Sequence, residues 1–475
     1  MKAYQELPEE NLPFRNGLPE NEPPAPIPAE TPMTEETLAP KGVFVVSVTS
    51  FPNNVPVENA LVKIRKSNDL TAPVLELFTN SIGRTEPILL SSPPVELSLS
   101  PSTVQPYSNY DCLVTKEDFE AVEVNDFNIL EGEGSVLNVN LLPILERSAA
   151  SPETEPPESP PAASYRTAEN SFSSSPRTAE LFVIPPHTLY GDYPPKIAES
   201  MTKPLRESGE IVLENVVIPE YIVVHDGPPG DSSAQDYYVS YKEYIKNVAS
   251  CEIYATWPEQ SLIANILAIQ SFTLNRVYTE WYRNRGYYFT ITSSTAYDQK
   301  FMPGRNIFDR ISEIVDQYFA SYITRPGAAQ PLLTQYCDGK RTTCPGFMSQ
   351  WGSKYLGDEG YYAIDILKNY YGYEIYLETA EQVAGIPQSF PGTALESGST
   401  GNAVQTIQNQ LNRIAQTYTI IPRLAVDGVY GPATEAAVRT FQRTFSLPQS
   451  GVVDYATWYK ISEIYVALTR IAELR

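Results

Sequence analysis

Residues 260–268 carry no charge at all, inside a longer run, KNVASCEIYATWPEQSLIANILAIQSFTLNRVYTEWY (246–282). Leu262, Ile263, Ile266, Leu267, Ile269, Leu274, Val277, Tyr278 and Trp281 recur there at helical spacing and cover a broad face. A helix that is apolar on most sides has to be buried, so the segments around it are organised by it. Just upstream stands Glu252, between small and aromatic residues and closed off by Trp257-Pro258, with the proline expected in the first helical turn. An apolar setting raises a Glu pKa and keeps the proton on near neutrality, which is what a general acid needs. An unselected Glu would instead be a solvated loop residue or a helix N-terminal charge, by about ten to one.

The chain has 475 residues, enough for about three domains. With 42% hydrophobic residues it can build cores, while its 42 prolines belong in linkers, turns and strand edges. A net charge of −23 argues against nucleic acid and anionic membrane surfaces as partners. No apolar stretch is long enough for a membrane-spanning helix, so no membrane insertion is expected. The first residues, MKAYQELPEENLPFRNGLPENEPP, lack the hydrophobic region of an ordinary secretory signal.

The two histidines, His187 and His225, leave little for zinc sites or Ser-His-Asp chemistry. Four cysteines do not make a disulfide scaffold in a chain of this size. Cys337 and Cys344 in YCDGKRTTC read as a disulfide or two free thiols ahead of a metal pair, and Cys251 reads as a packed residue without a His partner. No metal and no cofactor are expected.

The fold class expected is multidomain, with an N-terminal all-β sandwich, a central α+β catalytic domain and a C-terminal three-helix module. Residues 1–41 read as an acidic, Pro-rich disordered tail. From 42 to 143, short alternating runs such as GVFVVSVTS, ALVKIRKS and SVLNVNLLPI, separated by Pro, Asn and Gly turns, predict an antiparallel β-sandwich of about seven strands. Its "NALVKI" strand and "NSIGRT" turn resemble transthyretin-like modules, which implies a folding or docking role. Residues 144–209 form a Pro/Ser-rich linker, flexible to about 178 and then, from LFVIPPHTLYGDYPPK onward, Pro-rich with apolar anchors and expected to lie extended along the surface of the next domain. The central domain is placed at 210–386, with a helix over 304–323, a strand in PLLTQYCD and a helix in YYAIDILKNYYG.

Residues 387–475 form the last module. Val404, Ile407, Leu411 and Ile414 make one helical stripe, and Ala437, Val438 and Phe441 another. Turns fall at Asp427-Gly428 and Tyr430-Gly431-Pro432, and Asp454 can cap a third helix. These motifs resemble the three-helix peptidoglycan-binding module. The resemblance implies binding at the surface of Asp427, Gly428, Tyr430, Gly431 and Thr434, together with Trp458. Most of these residues also read simply as core and turn formers.

In the central domain, VASCEIYATWP followed by SLIANILAIQSFTLNRVY, and CPGFMSQWGSKYLGDEGYYAIDILKNYYG downstream, resemble the sporulation stage II protein D family of lytic transglycosylases and amidase enhancers. By that resemblance Glu252 falls on the catalytic Glu, and Gln299, Tyr336, Ser349, Gln350 and Trp351 line the substrate groove. Ile263, Asn265 and Gln270 stand where the family has Lys, Gln and Arg.

A glycosidase normally uses two carboxylates, and no second one with comparable context is evident. A lytic transglycosylase needs only one, because the C6 hydroxyl of N-acetylmuramic acid attacks its own C1. The order of modules resembles clostridial spore cortex-lytic enzymes. This implies a peptidoglycan glycan-strand substrate, a place at the spore cortex and coat boundary or in the cell wall, and a role in germination. It also implies a precursor cut by a subtilisin-like protease within 145–219, at 210–213 for preference. The alternative is a non-catalytic wall-binding protein or amidase enhancer.

Overall fold

The structure is a computed structural model that describes residues 40–51, 54–69, 71–144, 179–197, 216–380, 382–383, 390–391 and 393–469. The N-terminal tail, most of the expected linker and the expected cut at 210–213 lie outside the described residues.

The alternating runs become strands. In chain order these are β1 (Lys41–Ser50), β2 (Val55–Pro56), β3 (Leu61–Lys66), β4 (Leu75–Phe78), β5 (Ile88–Ser91), β6 (Ser108–Thr115), β7 (Ala121–Ile129) and β8 (Gly134–Leu141). Phe44, Val46 and Val48 of β1 are fully buried, as the two-residue period demands. Beyond them come β9 (Ala179–Val183), β10 (Val217–Ile218), β11 (Tyr221–His225), β12 (Asp236–Ser240), β13 (Ile291–Thr292) and β14 (Ile307–Phe308). One sheet runs β14-β8-β1-β2 with β5 also on β1, and its partner runs β4-β3-β6-β7-β9.

Three expectations are corrected here. The sandwich is not purely antiparallel, since β1 and β8 pair in parallel from Val43/Gly134 to Ser50/Leu141. Alternation reports which face is buried and is silent on a neighbour's direction. The span 144–209 is not all linker: β9 pairs with β7, and Ile184, 3% exposed, anchors it in the sandwich core. An edge strand with free N–H and C=O groups offers such a segment a place to bind. The helix over 304–323 is shorter than expected because both ends are taken by strands: Ile307 and Phe308 pair with β8, and Ser321–Thr324 with Tyr376–Thr379.

The central domain is built on α1 (Tyr241–Glu252) and α2 (Glu259–Tyr278). Pro258 takes the cap position of α2, one residue before the first turn, and every residue from Ser261 to Arg276 is buried. The polar side chains among them are paired internally: Asn265 donates to Ser261 O and Ser353 Oγ at 2.8 and 2.7 Å, Ser271 to Leu267 O at 2.8 Å, and Asn275 to Pro331 O at 2.8 Å. Around α2 lie α3 (Asp309–Tyr318), β15 (Ser321–Thr324), β16 (Tyr336–Cys337), β17 (Met348–Ser349), α4 (Gln350–Asp358), α5 (Ala363–Tyr371), β18 (Tyr376–Thr379) and β19 (Gln382–Val383). The C-terminal module has the three helices expected, α6 (Asn402–Ile414), α7 (Pro432–Thr444) and α8 (Tyr455–Thr469).

These parts form one compact unit. The sandwich supports α1 through Arg305, which donates to Ser250 O and to Asn128 Oδ1, while Asn306 Nδ2 donates to Asn128 O at 2.8 Å. Charges that are buried or partly buried join α3 and α8 to α1. Asp316 bridges Lys242 and Lys246 at 3.1 and 2.8 Å, and Glu463 bridges Lys242 and Lys460 at 2.7 and 3.1 Å. Burial would raise both carboxyls, but the surrounding ammonium groups overcome it, holding Asp316 well below the usual range and drawing Glu463 down to about 2.

Two outcomes are expected. Asp316→Asn leaves Lys246 with only Glu243 at 4.0 Å and removes half of the pairing of Lys242, and urea titration should register a loss of about 3 kcal/mol. Because the folded carboxyls are depressed, their contribution is present in full above the ordinary carboxyl pKa of about 4 and is lost as pH falls below it. Thermal melts of the wild type should therefore hold steady from neutrality to mildly acidic pH and drop between pH ~4 and ~2, with a shallower drop in the variant.

Candidate active site

Glu252 is the last residue of α1 and is 3% exposed, so it is neither a solvated loop residue nor a helix N-terminal charge. The following Ile253–Pro258 turn, with Trp257 fully buried and donating to Ser98 O at 3.0 Å, fixes its position between α1 and α2. Lys300 N–H donates to Glu252 Oε1 at 2.6 Å. The other oxygen, Oε2, is buried without a hydrogen-bond partner among the described residues, and so is the hydroxyl of Tyr336. The two groups are electrostatic neighbours. Burial raises the Glu252 carboxyl, against the Lys300 N–H and the Tyr336 hydroxyl, which favour the ionised form. Burial and the adjacent carboxylate push the Tyr336 phenol well above its ordinary range, so it stays a neutral donor.

Glu252 opens into a narrow cleft of about 70 Å³, walled by Tyr336, Gln350, Asp298, Asp338, Arg341, Thr342 and the segment Thr188, Tyr193, Pro194, Pro195 and Lys196. Of the residues expected to line a groove, Tyr336 and Gln350 do so, Gln350 also donating to Glu252 O at 3.2 Å. The other three do not. Gln299 is fully buried, accepting from Tyr244 and Thr273 at 3.1 and 2.8 Å and donating to Ile269 O at 3.1 Å, so its amide is held within the core. Trp351 packs against Trp257 and Tyr254 at centroid distances of 4.9 and 6.3 Å in the core. Ser349 caps α4 by accepting from Gly352 N–H at 2.9 Å and borders a separate open hollow.

Two carboxylates that sequence reasoning missed also reach the cleft, and both are already committed. Asp298 accepts from Arg276 Nε at 2.9 Å, Tyr282 Oη at 2.6 Å, and Thr292 N and Oγ1 at 2.9 and 2.8 Å. Asp338 is partly buried, which would raise it, yet the Arg341 side chain and the N–H groups of Lys340, Arg341 and Thr342 hold it below the usual carboxylate range. This loop is closed by a disulfide between Cys337 and Cys344, whose Cα atoms are 5.8 Å apart. No group of three or more His, Cys, Asp or Glu side chains suited to a metal occurs among the described residues. The arrangement can therefore donate and accept one proton, at Glu252 Oε2, next to a neutral phenol.

In the C-terminal module the motif residues have structural work. Gln408 Nε2 donates to Asp427 Oδ1, Val429 O and Thr434 Oγ1 at 2.8, 3.1 and 3.2 Å, and its Oε1 accepts from Gly428 N–H at 2.9 Å. Gly428 has φ +71°, a left-handed conformation that favours glycine. This sequence of turns and helices matches the family model of a peptidoglycan binding domain over residues 400–461. Residues 400–461 are a peptidoglycan-binding domain.

A 70-residue stretch of the chain is 40% identical to the zinc D-Ala-D-Ala carboxypeptidase of Streptomyces albus G, covering 15% of this chain and 26% of that protein. The chain thus spans about a quarter of the length of that curated relative. Among solved structures, catechol 1,2 dioxygenase of Acinetobacter radioresistens aligns at 15% identity over 26% of this chain and 58% of that one, with a TM-score of 0.18. The 5-hydroxyisourate hydrolase of Klebsiella pneumoniae aligns at 16% identity over 22% and 91%, with a TM-score of 0.15. Neither likeness is close enough to inform the site.

Within the peptidoglycan-binding domain, four of the expected binding residues are buried, Gly428 among them. Trp458 is fully buried, Tyr430 is 1% exposed with its hydroxyl on Gly451 O at 2.7 Å, and Thr434 is 3% exposed. Aromatic size and a recurring position suit a core as well as a sugar platform, and the sequence does not distinguish them. Asp427, and the apolar Val426 and Val429 at 42% and 48%, remain at the surface of the same turn. Trp458→Ala should accordingly lower the unfolding free energy by about 3 to 5 kcal/mol in denaturant titration. Val429→Asp should leave the melting temperature within a degree or two while weakening sedimentation with isolated sacculi.

Proposed function

We propose that the chain is a peptidoglycan lytic transglycosylase that cleaves the linkage between N-acetylmuramic acid and N-acetylglucosamine. The supporting observation is the Glu252 carboxyl at the cleft, pinned at Oε1 by the Lys300 N–H, with Oε2 buried near the Tyr336 hydroxyl and the proton favoured by burial. In the first step Glu252 gives its proton to the glycosidic oxygen as the C1–O bond breaks. The carboxylate left behind then takes the proton of the C6 hydroxyl as O6 bonds to C1, which regenerates the acid and yields a 1,6-anhydro sugar. No water is consumed and no second carboxylate is required, in keeping with the full hydrogen-bond sets of Asp298 and Asp338.

The peptidoglycan-binding domain, whose last helix is held to α1 by the Lys242–Glu463 bridge, would keep the strand near the cleft. By its order of modules the enzyme would act on spore cortex at germination, as a precursor activated by a subtilisin-like protease. A second assignment, a wall-binding protein or amidase enhancer without activity of its own, draws on the small volume of the cleft and on Gln270. That residue stands where the related enzymes carry Arg and donates to Tyr318 O and Ser321 O inside the core.

Glu252→Gln on purified glycan strands decides between them. Release of anhydro-muropeptides, followed by mass spectrometry, should fall about 100-fold or more. Equal release from both proteins rules out Glu252 as the acid, and sedimentation with sacculi without any soluble product points to the binding protein. For the active protein, the rate should decline as pH rises through the elevated Glu252 pKa, because only the protonated carboxyl can start the reaction.

A further inference from the structure

Residues 186–197, PHTLYGDYPPKI, lie just before the central domain in sequence and cross the cleft in space. They are tied down at both ends. Thr188 donates to Cys251 O through its N–H and its hydroxyl, both at 3.1 Å, and its own carbonyl accepts from Arg341. His187 stacks on Tyr254 at 4.4 Å, and Ile197 N–H donates to Ala296 O at 2.6 Å. Between these anchors Lys196 enters the cleft. Its ammonium donates to Asp298 O and sits 4.9 Å from the ring centroid of Phe272 and 5.7 Å from that of Tyr336.

We propose that this segment is a latch on the Glu252 cleft, with the Lys196 ammonium occupying the subsite of the sugar ring that carries positive charge during glycosyl transfer. The inference rests on the transglycosylase assignment for the identity of that sugar. Three observations carry it. The cleft with the segment in place has about 70 Å³, whereas pockets that take ligands of sugar size hold ~300 Å³ or more. A cation between aromatic faces beside a carboxylate is the charge pattern of an oxocarbenium-like ring. The Lys196 ammonium also favours the ionised form of Glu252, working against the burial that raises it, and the ionised form is the wrong one for an acid. The segment that fills the cleft thus also weakens the hold of the carboxyl on its proton.

The test uses the full chain and tri-N-acetylchitotriose as probe, by calorimetry. Lys196→Ala and Lys196→Met, with unchanged melting temperatures, should each bind the probe about tenfold more tightly than wild type, the gain expected if the latch is closed nine times in ten. Hydrogen exchange at the Thr188 and Ile197 amides of the wild type should quicken when the probe is added at saturation. Unchanged or weaker affinity in both variants, or amides that become more protected on probe binding, would make the segment a wall of the substrate site and overturn the latch. Combining Lys196→Ala with Glu252→Gln separates the two ideas. Tighter probe binding with undiminished anhydro-muropeptide release would sustain the latch and remove the acid role of Glu252.

Discussion

The burial of α2 on every side is the constraint from which the rest of the molecule follows. A helix with no solvated face needs neighbours all round, and here they are α1, α3, α4, α5 and β15, with most side-chain amides and hydroxyls paired inside because water cannot reach them. The turn that enters it, Ile253–Pro258, is consequently rigid, and α1 ends in the shadow of that packing. Glu252 is therefore desolvated by the placement of its helix. A carboxyl brought there by the main chain has no room to turn outward, and its elevated affinity for the proton is a by-product of the core.

The flanking modules reinforce this centre instead of hanging from it. Arg305 reaches from the central domain to the sandwich and back to the last turn of α1, and Trp257 donates into the sandwich at Ser98. Buried Asp316 ties α3 to Lys242 and Lys246 of α1, and the partly buried Glu463 of α8 pairs with Lys242 and Lys460. A buried ion network is costly to dehydrate and demands good geometry, so it specifies one docked arrangement more than it adds stability. For a protein with a peptidoglycan-binding domain, a fixed arrangement sets one distance between the polymer it holds and the carboxyl in the cleft.

How much of this could be read beforehand differed from residue to residue. The all-round burial of α2, the apolar setting of Glu252 and the three C-terminal helices were legible, since each follows from local periodicity or from turn chemistry. The groove residues were legible only in part. Tyr336 and Gln350 reach the cleft, while Gln299 and Trp351 face the core, because a side chain's direction depends on which partner covers it. Trp458 and Tyr430 were misjudged for the same reason, being large aromatics whose sequence context suits stacking on a ligand or on the core equally. Lys196 carried no signal, lying in a Pro-rich stretch that has no period.

By itself, the sequence determined the strand and helix segments with strong periodicity, the peptidoglycan-binding domain and the apolar setting of the Glu252 carboxyl. Only the tertiary structure decided the parallel pairing of β1 with β8, the recruitment of β9 and β14 into the sandwich, the exchange of charges between α1, α3 and α8, and the passage of residues 186–197 over Glu252. The physical reason is one of range. Periodicity and capping act over a few residues and are written in adjacent letters, whereas desolvation and ion pairing depend on groups that meet only after the chain has closed on itself.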